Sequence, residues 1–176
     1  MSEQVSKAME RVRSVFARRP AAAIHPDEPA TARWGGGLGV VSFHANGTQI
    51  PTDMPVELGG GGGQMTPGWL LRAALASCLA TRIAMEAATA GITLSRLEVL
   101  ARSTTDARGL LGMTDHCGEK VSAAPQELQL EVKVGAGDAT KEQVEAMVLR
   151  SVSCSPVSAA IAGALPVGLH IDIESN

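Results

Sequence analysis

The residues of this chain best suited to chemistry are its cysteines. Cys78 sits near the centre of TPGWLLRAALASCLATRIAMEAATAG, residues 66–91, and Cys154 lies in SVSCSPVSAA near the other end. A thiolate is a nucleophile, but an ordinary thiol, with a pKa of ~8.5, is mostly protonated at neutral pH and needs a nearby cation or helix dipole. Arg82 stands four residues after Cys78, on the same helical face, and is the local cation for that task. Glu86 is four further on and can pair with Arg82 instead, while Arg72, six residues before Cys78, is off its face. The alternative for Cys78 is a small apolar core residue, as buried cysteines commonly are. Cys117, beside His116 in MTDHCGEK, reads as an exposed bystander, because two ligands without partners do not make a metal site. No metal and no cofactor is expected. The run Gly59–Gly63 precedes a helix but lacks the Lys and Ser/Thr of a P-loop, so it reads as a flexible lid or a close backbone approach. Trp34 and Trp69 flank the same region and supply either an apolar wall or ordinary packing.

The elements that must position these residues follow from pattern. Residues 66–91 predict one long helix: Thr66 is an N-cap, Pro67 fits the first position and Gly91 is a stop. It is apolar on nearly every face, so it should be buried; Arg72, Arg82 and Glu86 exclude a membrane span. Residues 3–18 predict a helix capped by Ser2, with Val5, Met9, Val12 and Phe16 on one face, and residues 1–30 read as that helix plus a linker. Residues 32–43 predict a strand bent at Gly35, Gly36 and Gly37, then a hairpin turn at Asn46-Gly47 and a return strand over 48–50. Strands are predicted over 92–103, 126–134 and 169–173, and 104–125 as a long excursion. Thr140 and Gln143 form a capping box for a helix that ends or kinks at 153–156, with a second helical piece over 157–164. The fold class is α+β, with residues 31–176 as one domain. A long helix apolar on more faces than one chain of this size can cover predicts a homodimer.

The net charge of -3 gives no electrostatic case for nucleic acid, and a chain with no Tyr, two Phe and two Trp has few rings for base stacking. Neither a nucleic-acid nor a membrane partner is expected. Three cysteines without C-x-x-C, and no visible export signal, point to free thiols in a reducing, cytoplasmic setting.

GGGGGQMTPGWLLRAALASCLA resembles the signature of the OsmC/Ohr family of thiol-dependent peroxidases, and SCSPVSAAI resembles that family's second motif, a Cys-Pro-Val segment on the other central helix. The resemblance covers residues 30–176. It implies antiparallel sheets wrapped around two long central helices, and an intertwined homodimer with its sites at the subunit interface. It also implies reduction of organic hydroperoxides by Cys78, with recycling by a dithiol reductant. Cys154 becomes the candidate resolving thiol, or else a buried cysteine at a helix kink; a disulfide needs Cα atoms within about 7 Å. Arg33 is the nearest match to the family's early-strand arginine. Two positions depart from the pattern. Gly68 stands where the peroxidases carry a Glu after the motif proline, and Ser155 directly precedes Pro156-Val157, so Cys154 falls one residue early, about 100° around a helix. These departures suggest a divergent branch. They leave open an alternative function, a non-catalytic dimer that binds a hydrophobic small molecule.

Overall fold

A computed structural model describes residues 2–174; the side chain of Ser2, and with it the predicted cap, lies outside the described set. The centre is α2, Pro67–Ala90, a helix of 24 residues. Its start is fixed as the sequence requires: Thr66 Oγ1 accepts the Trp69 N–H, Pro67 takes the first helical position, and Gly91 closes the end at φ 70°.

One face of α2 is covered by a two-stranded sheet, β4 (Leu94–Thr104) and β5 (Gln126–Ala136), paired antiparallel. Alternation decides which side chains turn inward: the register sets Leu97 against Val134, Val99 against Val132 and Ala101 against Leu130. Leu97, Val99, Leu130, Val132 and Val134 pack on Leu79, Ile83 and Ala87 of α2 and on Met147. Met147 belongs to α4, Lys141–Ser153, which begins with the predicted Thr140–Gln143 capping box. Leu79, Ile83 and Met147, which are fully buried, each contribute roughly 1.5–3 kcal/mol. The helix then breaks: α4 and α5 (Pro156–Ala162) meet at 62°, with Ser155 as N-cap and Pro156 at the first position. Pro156 has no N–H to continue the α4 ladder.

The amino-terminal half is more loosely attached. Helix α1, Ser2–Arg18, lies against α2. The predicted bent strand over 32–43 is two strands, β1 (Thr31–Gly36) and β2 (Gly39–Phe43), joined by a tight turn with Gly36 at φ 111° and Gly37 at φ 56°. Consecutive glycines that read as a bulge were therefore a hairpin; both conformations use positive φ. β3, Gln49–Thr52, completes an antiparallel meander in the order β1-β2-β3 after the expected turn at Asn46-Gly47. The excursion over 104–125 carries one helical turn, α3 (Ala107–Leu110), and a bridge between Thr114 and Lys120.

The predicted last strand is not formed. Residues 165–174 are without regular structure, and Val167, Leu169, Ile171 and Ile173 are 67–93 % exposed. The alternation is present, but a strand exists only beside a partner edge, and this segment has none among the described residues. Among the described residues no single helix is long and apolar enough to cross a membrane.

Candidate functional site

Cys78 lies at mid-length on α2, half-buried, where α2 crosses the α4–α5 break. Its partner is not Cys154. The Ser155 hydroxyl donates to Cys78 Sγ at 3.3 Å, and the Ser158 hydroxyl donates to Ser155 Oγ at 3.0 Å. Ser155 is fully buried, while Cys78 and Ser158, at the two ends of this short relay, are half-buried. The geometry follows from the break: Ser155 caps α5 and turns its side chain toward α2. Cys154, one residue earlier, is exposed, and its Sγ lies 3.9 Å from Ser153 Oγ. The structure therefore brings Ser155 to Cys78 and leaves Cys154 facing solvent, and all three cysteines are free thiols.

Arg82, the expected cation beside Cys78, is committed elsewhere. Its Nη2 pairs with Glu86 at 2.7 Å, and Glu86 accepts a second bond from Arg150 Nε at 3.1 Å. The Arg82 and Glu86 side chains are only 15 % and 14 % exposed. Burial pushes the Glu86 carboxyl up, but the hydrogen bonds and charges of Arg82 and Arg150 outweigh it and hold the group below the usual carboxylate range. Arg82 Nη1 is buried without a hydrogen-bond partner. The pairing of Arg82 with Glu86 was one of the two sequence readings. The part of Arg150 was invisible, because 64 residues separate it from Glu86.

Arg33 is exposed on β1, its guanidinium 4.9 Å from the centre of the Phe43 ring on the neighbouring strand, a cation–π contact within the meander. Trp34 is exposed, with its indole N–H on Gly37 O at 2.9 Å. Trp69 is also half-exposed, and neither ring lines the apolar cavity beside the start of α2. The glycine run is a close backbone approach: a Cβ on Gly60 would lie 1.9 Å from Met54 O, and Asp53 accepts the Gly61 N–H at 2.7 Å. Cys117 is exposed, as expected; Asp115, overlooked in the sequence, joins His116 and Cys117 so that donor atoms of all three lie within 4.8 Å of one another.

The family model described as OsmC-like protein matches residues 59–170. The chain belongs to the OsmC-like family. Solved structures agree on the fold. An OsmC-like protein of Mycoplasma pneumoniae superposes with a TM-score of 0.65 at 14 % identity, over 80 % of this chain and 90 % of the other. An OsmC-like protein of Vibrio cholerae gives 0.62 at 14 %, over 77 % and 94 %. An organic hydroperoxide resistance protein OsmC of Legionella pneumophila gives 0.55 at 24 %, over 80 % and 92 %. No curated protein matches the chain.

Proposed function

We propose that this protein reduces organic hydroperoxides through Cys78 as its single reactive thiol and works as a homodimer recycled by an external thiol. The observation that carries the reading is the hydrogen bond from buried Ser155 to Cys78. The likeness to the organic hydroperoxide resistance protein of Legionella pneumophila supports the choice of substrate class. The Cys78 sulfur attacks the terminal oxygen of the hydroperoxide. An S–O bond forms, the O–O bond breaks, and the organic half leaves as an alcohol after taking up a proton; Cys78 becomes a sulfenic acid. The Ser155 hydroxyl, already aimed at the sulfur, is placed to donate to the new oxygen. Serine cannot condense with that sulfenic acid, and Cys154 faces solvent. An external thiol therefore attacks the sulfur, water leaves, and a second thiol reduces the mixed disulfide. Three free cysteines in one chain suit a reducing, cytoplasmic compartment.

Two observations support the homodimer. A compact monomer of this size exposes roughly 8,000 Å², whereas this chain exposes 12939 Å². The excess includes Trp69 on α2 and the alternating apolar residues of the carboxyl-terminal segment. An intertwined dimer would cover both. The deciding measurement for the chemistry is trapping of sulfenic acid after cumene hydroperoxide, read by peptide mass spectrometry. The adduct should fall on Cys78; none there, or an equal adduct in Cys78→Ser, overturns the assignment.

Gly68 favours a second reading, binding of a small apolar molecule without turnover. It has no carboxylate to hold an arginine against thiolate and peroxide. A misplacement of ~1 Å can cost about a hundredfold in rate, so turnover is expected to be slow.

A further inference from the structure

The loop before α2 and the excursion over 104–125 enclose a cavity of about 470 Å³ at the amino-terminal end of α2. Its wall is apolar, with Met54 and Leu58 from the loop, Leu71 from α2, Leu110 from α3, and Pro125. Among the described residues Arg72 is the only charged one that lines it. Arg72 Nη1 donates to Ser103 Oγ on β4 at 3.3 Å, a contact that steers the guanidinium without neutralising it. Among the described residues Arg72 has no carboxylate within ion-pair distance, whereas Arg82, Arg96, Arg102, Arg108 and Arg150 each have one. Arg72 is half-buried beside apolar surface, and most of its five donors are left open to an incoming anion.

Gly68 keeps that cation available. It sits one helical turn before Arg72, and a Cβ there would lie 3.8 Å from Arg72 Nη1 and 3.9 Å from Thr66 Oγ1, with room to spare. An acidic side chain built on that Cβ would reach the guanidinium and occupy it. Glycine leaves the position to a ligand.

We propose that this cavity binds a straight-chain aliphatic carboxylate, its head on Arg72 and its tail along Leu58, Leu71 and Leu110. The proposal rests on the ligand-binding reading of Gly68 and does not depend on whether Cys78 reacts. Volume and lining suit a tail of medium length, and the guanidinium fork matches a carboxylate in two parallel hydrogen bonds.

The test is calorimetric titration with octanoate and with 1-octanol, which share a tail and differ in charge. Wild type should bind octanoate about tenfold more tightly or better, the size of a charge-assisted hydrogen bond. Arg72→Met keeps the apolar stem and should erase the preference; Gly68→Glu should erase it by occupying Arg72. Leu110→Trp fills the cavity and should weaken both ligands, and thermal unfolding reports whether each variant is folded. Octanol bound as tightly as octanoate, or a preference that survives in Arg72→Met, overturns the carboxylate assignment while leaving an apolar ligand site standing. Failure of both ligands to bind wild type overturns the assignment and the ligand-binding reading together.

Discussion

Replacing Ser155 by cysteine should convert a one-thiol site into a disulfide site. The native hydroxyl oxygen lies 3.3 Å from Cys78 Sγ, so a sulfur in its place needs only a small rotamer change to reach bonding distance. The cross-link would join residues separated by 77 positions. Closing a loop of that length in the unfolded chain is worth about 4.5 kcal/mol in the chain-entropy estimate, reduced by whatever strain the new bond stores. Oxidised Ser155→Cys should therefore resist urea by several kcal/mol more than its reduced form, while wild type should show no such gap. Thiol titration gives a second count: Ser155→Cys should lose two thiols on mild oxidation, leaving Cys117 and Cys154. The variant should also recycle its sulfenic acid internally. If all thiols remain titratable after oxidation and the two urea curves coincide, Ser155 does not face Cys78 and the single-thiol route loses its basis.

Cys78→Ser should abolish hydroperoxide turnover, whereas Cys154→Ser should leave it within about twofold, measured with a dithiol reductant; a large loss in the second variant would return Cys154 to the mechanism. Glu86→Gln strips two arginines of their shared carboxylate and should cost roughly 2 kcal/mol of stability at neutral pH, somewhat less than a fully buried pair. Because the folded-state pKa of Glu86 is depressed, its contribution is present above the ordinary value of 4.5 and lost as pH falls through the lower folded value. The gap between wild type and Glu86→Gln should thus be full at pH 7 and close in acid below about pH 4.5. Sedimentation should give twice the chain mass, and deletion of residues 165–176 should weaken the dimer; a monodisperse wild-type monomer would refute the homodimer.

Local rules made much of this fold legible. Thr66, Pro67 and Gly91 bounded α2, the 128–134 alternation located β5, and the Thr140–Gln143 box started α4, because each is settled by neighbours a few residues away. The misses involve choices that local sequence leaves open. Gly36 and Gly37 serve a bulge or a turn equally well, and only the pairing of Trp34 with Val40 decides. The 169–173 alternation names the faces of a strand but not the edge it needs. At the candidate site, the motif pointed to Cys78, but the bond from Ser155 spans 77 positions and the bond from Arg150 to Glu86 spans 64. Ser155 was legible only as a departure from a pattern.

Ser151 and Ser155 are the same residue, both fully buried, four positions apart. The Ser151 hydroxyl is consumed within its own helix, on Met147 O at 2.8 Å. The helix break before Pro156 separates Ser155 from that pattern and leaves its hydroxyl as a donor aimed at sulfur. Packing and reactivity are thereby uncoupled: exchanging one oxygen for sulfur at 155 would change how the site is recycled while leaving the helix contact nearly as it is.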